Sequence, residues 1–166
     1  MKKIILFSFL LGFSMAIPAM VSAGELARQI LGVRLDMTKD QAHERLKEIG
    51  TFVRDEANRQ EVWTVRDPSF SQLIIGFRED EKLRFVTAVA REDKEAKRVE
   101  YSDLGNLKEA QRAGDPTNND FAYGWNLPAT KGNPPTLVIA RGHDAKFLST
   151  YSLKNLTLES APEKND

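Results

Sequence analysis

Two histidines, His43 and His143, are the residues in this sequence best suited to acid–base or metal chemistry. No HxxE, HExxH or HxH spacing surrounds them, and a metal site needs further ligands at such close spacings. His43 and Glu44 are adjacent, so they do not share a helix face. We therefore predict no metal site and expect both histidines to be solvated surface residues.

Paired carboxylates offer a second kind of chemistry, because an acid and a base carboxylate together hydrolyse glycosidic bonds. Glu79, Asp80 and Glu81 form such a run. They lie between two predicted strands, and hairpin tips are normally polar, which favours a solvated tip. Serine-nucleophile motifs and glycine-rich phosphate loops are absent from residues 24–166. We predict that the chain has no catalytic residue and uses no cofactor.

The aromatic residues are more informative. Phe121, Tyr123, Trp125 and Leu127 alternate along one predicted strand and therefore point to one side of it. Core packing accounts for about half of the aromatic side chains, since Trp and Phe dominate protein cores. The rest are more than a sheet with one face in water needs. The aromatics on strands predicted to lie beside this one are Trp63, Phe77, Phe85 and Tyr151.

Aromatic and arginine side chains are also enriched at protein-binding hot spots. Arg78 and Arg141 lie near the same strand ends, where a planar guanidinium can bind a carboxylate through two hydrogen bonds. We therefore predict a sheet face that recognises another protein. Its candidate residues are Trp63, Arg78, Tyr123, Trp125, Arg141 and Tyr151.

Periodicity indicates which elements hold these residues. The apolar spacing of residues 24–33 predicts a short helix ending near Gly32. Thr38 and Gln41 form a capping box that opens a better helix, and Gly50 suits the left-handed residue that ends it. A polar stretch follows, and then three antiparallel strands. They lie around Trp63, over residues 72–78 and over residues 82–91, with a hairpin at 79–81.

The second half of the chain repeats this order at an offset of 64 residues. Asp80 and Lys82 at one hairpin tip align with Asp144 and Lys146 at another. The helix cap and stop align as well, with Ser102 and Gly114 in the places of Thr38 and Gly50. We predict an α+β fold of tandem αβββ units, residues 24–100 and 101–158, that form an antiparallel sheet with helices packed on one face.

Residues 1–23 have the pattern of a secretory signal peptide. A basic start precedes an apolar run over residues 4–17, and residues 21–23 place short side chains before a cleavage point after Ala23. An uncleaved membrane anchor is the alternative, since residues 4–23 are long enough to span a bilayer. We predict a periplasmic or secreted protein with no transmembrane segment after cleavage and a flexible polar tail over residues 159–166.

The amino-acid composition excludes several kinds of binding site and partner. The 166 residues contain no cysteine, which excludes disulfide scaffolds, thiolate zinc sites and attachment of lipid through cysteine. The formal net charge is zero, and it becomes −2 when residues 1–23 are removed with Lys2 and Lys3. The chain therefore has no broad basic field for nucleic acid. Its stability must come from core packing.

Residues 30–42, with the sequence ILGVRLDMTKDQA, resemble the opening motif of the β-lactamase-inhibitor-protein-like modules. This group includes the small lipoprotein of the outer-membrane barrel-assembly machinery. The resemblance covers residues 30–91 and, more weakly, 102–154. It implies helices followed by a three- or four-stranded antiparallel sheet and, in tandem members, an aromatic sheet surface that grips a partner protein. Asp36 departs from the motif, and the missing lipid-bearing cysteine argues against the lipoprotein branch.

Together these patterns predict an exported, non-catalytic module of the bacterial envelope that binds an envelope or secreted protein. It is either an accessory factor of an envelope complex or an inhibitor of a secreted enzyme. Two other classes stay open. A carboxylate-dependent hydrolase requires a deep pocket that holds carboxylates with displaced pKa values, and a carrier of a small ligand or lipid requires an apolar cavity.

Overall fold

The structure is a computed structural model that describes residues 27–159. The predicted signal peptide and the tail beyond Glu159 lie outside the described residues. The chain is a mixed α+β protein dominated by one large antiparallel sheet. Across residues 27–159, every helix is too short or too polar to cross a bilayer.

The elements of the described chain are ten short or medium strands and a few helices. The strands are β1 (Gln29–Ile30), β2 (Val33–Arg34), β3 (Gly50–Glu56), β4 (Gln60–Val65), β5 (Phe70–Phe77), β6 (Leu83–Ala90), β7 (Gln111–Ala113), β8 (Phe121–Leu127), β9 (Thr136–Gly142) and β10 (Thr150–Asn155). The helices are α1 (Lys39–Ile49), α2 (Tyr101–Leu104), a 3-10 turn (Pro116–Asn118) and α3 (Leu156–Glu159). β1 and β2 form a separate two-stranded hairpin.

The eight remaining strands form one sheet in the order β3-β4-β5-β6-β10-β9-β8-β7. β3–β6, the first half of the sheet, is a meander, and β7–β10, the second half, is another. The last strand of each meander pairs with the other at the centre, where Thr87 lies opposite Ser152 and their hydroxyls lie 2.8 Å apart. β3 and β7 are therefore the two edges of the sheet.

α1 begins as its sequence predicts. Thr38 Oγ1 accepts the N–H of Gln41, and Gln41 Oε1 accepts the N–H of Thr38, so the capping box is present. Ala42 and Leu46 on the apolar stripe are fully buried. Gly50 departs from the prediction because its backbone is extended (φ −160°) and begins β3. A side chain at Gly50 would collide with the carbonyl of Thr64, so close approach of β4 explains this glycine.

Two other predicted helices differ from the structure. Residues 29–34 form the β1–β2 hairpin, because Leu31 and Gly32 have φ of 52° and 85°, which an α-helix excludes. α2 has only four residues and ends at Gly105, and the chain over residues 106–110 packs without a regular helix. Each half of the sheet also has four strands instead of the predicted three. The additional strand of the first half, β3, lies in the stretch predicted as a polar loop, and that of the second half, β7, lies in the stretch predicted as a helix.

The two faces of the sheet have different surroundings. On the covered face, α1, the β1–β2 hairpin and residues 99–110 pack against an apolar row that crosses the sheet in register. That row is Trp63, Leu73, Ala88, Tyr151, Ala140 and Tyr123. The opposite face, here the open face, carries the half-exposed residues Ile74, Phe85, Thr87, Val89, Leu137, Ile139 and Ser152.

Candidate functional site

The structure places the predicted aromatic candidates on the covered face. Trp63, Trp125 and Tyr151 are only 3–4% exposed, and Tyr123 is half-buried. Trp125 Nε1 donates to the carbonyl of Asn106, so the segment after α2 covers this side chain. The expectation that these aromatics form an open surface is therefore corrected. The helices were predicted to pack on one face of the sheet, and the face that they cover is the one that carries the aromatic side chains.

The two arginine candidates lie apart from that aromatic row. Arg78 is half-buried in the β5–β6 turn, where its guanidinium donates two hydrogen bonds of 2.9 Å to Asp80 and pairs with Asp36 at 3.3 Å. Arg141 is exposed on β9, opposite Ala122 and Thr150, and its register assigns it to the open face. Of the six candidates, Arg141 alone is therefore on the open face.

A buried carboxylate is the most unusual chemical feature of the described chain. Glu61 on β4 is 3% exposed. Strand alternation places it on the covered face with Trp63, two residues along. Lys39 and His43 are four residues apart on α1 and therefore share a helix face, and both reach Glu61. We call Lys39, His43, Glu61 and Trp63 the Glu61 cluster.

Three donors converge on the Glu61 carboxylate. Its Oε2 lies 2.7 Å from His43 Nε2 and accepts a hydrogen bond of 3.1 Å from Trp63 Nε1, while Oε1 lies 3.1 Å from Lys39 Nζ. Burial by itself raises the pKa of Glu61, but the hydrogen bonds from Trp63, His43 and Lys39 outweigh burial and lower the pKa below its ordinary value of 4.5. The carboxylate is therefore ionised at neutral pH.

A cleft of about 440 Å³ opens beside the cluster. It is lined by Lys39, Glu61 and the aromatic ring of Phe77, together with charged residues of both signs from β3 and the neighbouring turns. Lys39 Nζ lies 5.4 Å from the centre of the Phe77 ring. Such a charged lining does not match the apolar cavity that a lipid carrier requires.

The second half of the sheet has no counterpart of this cluster. On β8, Tyr123 precedes Trp125 by two residues, as Glu61 precedes Trp63 on β4. Tyr101 of α2 contacts Tyr123 with ring centroids 4.7 Å apart. The contact between Tyr101 and Tyr123 thus takes the place that the contact between His43 and Glu61 has in the first half. A helix can therefore pack on this sheet without a buried carboxylate.

The contacts of the Glu61 cluster indicate a structural role and not a catalytic one. Both oxygens of Glu61 are engaged by donors, and a lowered pKa is the opposite of what a general acid needs. His43 has ring contacts with Trp63 and Phe77, at 5.5 and 6.1 Å between centroids, and neither is a nucleophile. The cluster therefore ties α1 to β4.

His43 is thus not the solvated surface residue that the sequence predicts. The signal for its partner is present in the sequence, since Glu61 alternates with Trp63 and Val65 on an otherwise apolar strand face. His143 does lie exposed at a hairpin tip, with Nδ1 3.3 Å from the carbonyl of Asn119. The acidic tip at residues 79–81 is exposed as well.

The open face is the second candidate site. Ile74, Thr87, Ser152 and Ile139 form a row across the four central strands, and all four are half-exposed. Phe85, Val89 and Leu137 on the same strands extend the apolar area. The face thus combines a central pair of hydroxyls with apolar side chains on both sides, and protein-binding surfaces likewise combine apolar area with hydrogen-bonding groups.

Within residues 27–159, no three side chains of the metal-binding types form a group. Comparison of the chain with known protein families, with curated proteins and with solved structures finds no match.

Proposed function

We propose that the chain is an exported, non-catalytic module of the bacterial envelope that binds a partner protein through the open face of its sheet. The observation that carries this proposal is the partly exposed row Ile74, Thr87, Ser152 and Ile139 at the centre of that face. The helices and the β1–β2 hairpin pack on the other side, so a partner has access to four adjacent strands.

The composition of the open face supports recognition of a protein. Thr87 and Ser152 pair their hydroxyls at the centre, which satisfies both groups before any partner arrives. The apolar side chains on either side lose water when a partner covers them, at about 25 cal/mol per Å² of apolar area. Arg141 at the margin supplies an exposed cation for an acidic group of the partner.

We further propose that the fold consists of two tandem units, each with a helix followed by four strands. Equivalent backbone hydrogen bonds support this duplication. Met37 O accepts the N–H of Leu83 in the first half, and Val99 O accepts the N–H of Leu148 in the second. The hairpin tips match too, since Asp80 and Asp144 each accept the N–H two residues ahead. The resemblance to inhibitor-protein-like modules stays a prediction within this proposal.

Hydrolysis by carboxylates is the alternative function with a definite residue to test, Glu61. It is less well supported, because the donors around Glu61 fill both oxygens and keep it ionised. The variant His43→Asn would abolish any hydrolase activity that depends on this pair. It would leave binding on the open face unchanged, since His43 lies on the covered side.

The proposal is tested by photo-cross-linking in the producing organism. A photo-reactive amino acid replaces Ile139 or Ile74, and Lys47, which is exposed on α1, is the matched control position. We expect one discrete adduct from Ile139 and from Ile74 and none from Lys47. The substitution Arg141→Glu should reduce the yield from Ile74. Adducts of equal yield at all three positions, or none at the two isoleucines, would contradict binding on the open face.

A further inference from the structure

We propose that the chain forms a two-fold dimer in which β3 of one copy pairs antiparallel with β3 of a second copy, with Phe52 at the axis. This contact is separate from the partner site on the open face. Among residues 27–159, β3 has β4 on one side and no strand on the other, and its residues 51–56 are all exposed. A long unpaired edge is a ready template for another strand.

The apolar residues of the described chain point to this edge. Phe52 and Val53 are each 44% exposed, and they are the two exposed large hydrophobic residues among those whose side chains the structure describes. The opposite edge, β7, has three residues and carries only alanine as an apolar side chain. Exposed apolar side chains on the longer edge favour β3 as the one that is covered by another copy.

The backbone of Phe52 has the orientation that pairing requires. Arg66 N donates to Ile49 O at 2.8 Å, which makes these two residues a hydrogen-bonded pair of the β3–β4 ladder. Such pairs alternate with non-bonded pairs in antiparallel ladders. Counting along the register, Thr51 and Thr64 form a bonded pair, whereas Phe52 and Trp63 do not. The N–H and C=O of Phe52 therefore face the free edge.

In the register with Phe52 at the axis, no like charges lie opposite each other. Val53 is the extra residue of a bulge, so Phe52 and Arg54 occupy consecutive ladder positions. With Phe52 opposite Phe52 of the second copy, Arg54 lies opposite Thr51. Asp55 then lies opposite Gly50. Shifting the register by two positions would place Arg54 opposite Arg54, which is unfavourable.

This register also extends the aromatic surface of the covered face. The rings of Phe52 and Trp63 lie 5.4 Å apart at an angle of 74°. Two such pairs meet at the axis and form a continuous row from one Trp63 to the other. Aromatic side chains opposite each other on neighbouring strands stabilise strand pairing beyond the area they bury. A second copy of this chain therefore meets the edge without a like-charge contact and with an aromatic ring opposite Phe52.

The cysteine-free sequence allows a direct test by disulfide trapping in the purified full chain. In the proposed register, Phe52→Cys places two cysteines about 5.5 Å apart between Cα atoms, within disulfide range. In the same register, the two copies of Arg54→Cys lie roughly 8 Å apart between Cα atoms, two ladder positions of about 3.3 Å along the strand and about 4.8 Å across it, which is beyond disulfide range unless the backbone moves. A mixture of Thr51→Cys and Arg54→Cys keeps Phe52 and should form the mixed disulfide.

We expect rapid dimer formation from Phe52→Cys and from the mixture, and none from Arg54→Cys or from Arg112→Cys on β7. Light scattering should give a mass above the 18.7 kDa of one chain, rising with concentration. Phe52→Lys should weaken the dimer on the order of tenfold or more, because two lysines then meet at the axis. A monomer at all concentrations without the Phe52→Cys disulfide, or equal cross-linking of all variants, would overturn the proposal.

Discussion

His43 on α1 and Glu61 on β4 are joined by a hydrogen bond of 2.7 Å beneath the helix. The same carboxylate holds Lys39 one turn earlier and Trp63 on its own strand. α1 is therefore attached to the sheet by a charged contact near its start and by the apolar side chains of Ala42 and Leu46 along its length. This double attachment has consequences that can be measured.

Glu61→Gln should lower the free energy of unfolding by about 1–3 kcal/mol, because it leaves Lys39 and His43 without their carboxylate in a partly buried place. Urea denaturation of the purified protein measures this loss. Glu48→Gln is the matched control, since Glu48 pairs with Arg45 on the exposed surface of the same helix and its loss should cost under about 0.5 kcal/mol. Equal losses in the two variants would show that the cluster contributes no more than a surface pair.

Acid should remove the contribution of Glu61. Its pKa in the folded state lies below the 4.5 of an exposed glutamate, so the unfolded chain takes up this proton first as the pH falls. The contribution is therefore complete well above pH 4.5 and is lost as the pH falls from there through the lower pKa of the folded state. Urea midpoints measured from pH 7 to 3 should converge for the wild type and Glu61→Gln. A gap that stays constant over this range would contradict an ionised Glu61.

Trp125→Ala should lower the free energy of unfolding by about 3–5 kcal/mol, because it empties a buried site and leaves the carbonyl of Asn106 without its donor. Thermal unfolding followed by circular dichroism measures the effect. Arg141→Ala, on an exposed strand position, should change the value by less than about 0.5 kcal/mol. If Trp125→Ala unfolds like the wild type, Trp125 is not part of the core.

Two strand glycines should respond differently to alanine. At Gly142, a Cβ atom would lie 2.7 Å from the hydroxyl of Tyr101, 2.8 Å from Phe147 O and 2.9 Å from Ser149 N, so Gly142→Ala should cost about 1–3 kcal/mol. At Gly124 the nearest atom is 3.8 Å away, and Gly124→Ala should be neutral or stabilising by up to about 1 kcal/mol. Chemical denaturation of both variants measures these changes in the free energy of unfolding. The reverse order would show that β9 does not approach α2 closely.

Local signals predicted the long regular elements well. The alternating aromatics predicted β8 over Phe121–Leu127, and the capping box of Thr38 and Gln41 predicted the start of α1. Both depend on residues close in sequence, whose periodicity or spacing is visible without knowledge of the fold. The hairpin at residues 79–81 was equally clear, since an acidic tip separates two apolar runs.

Contacts between residues that are distant in the sequence are harder to predict from it. β3 is exposed because it is an edge strand, and its two apolar residues, Phe52 and Val53, are adjacent, so it lacks the apolar alternation that marks a strand in the sequence. His43 meets Glu61 only once α1 lies on β4, and sequence spacing gives no measure of that distance. The aromatic residues were expected partly at an open surface because composition does not tell which face the helices cover.

The position of β10 at the centre of the sheet determines when the sheet can be completed during folding. β10 is the last strand of residues 27–159, yet it lies between β6 and β9. Until residues 150–155 have been synthesised, both of these apolar strands have an unpaired edge, which is a site for aggregation. Pairing β10 with β6 also joins segments more than 60 residues apart, a slow step in folding. A chain shortened before Thr150 would therefore lose the centre of its sheet, and a chaperone would have most to protect before residues 150–155 are available for pairing.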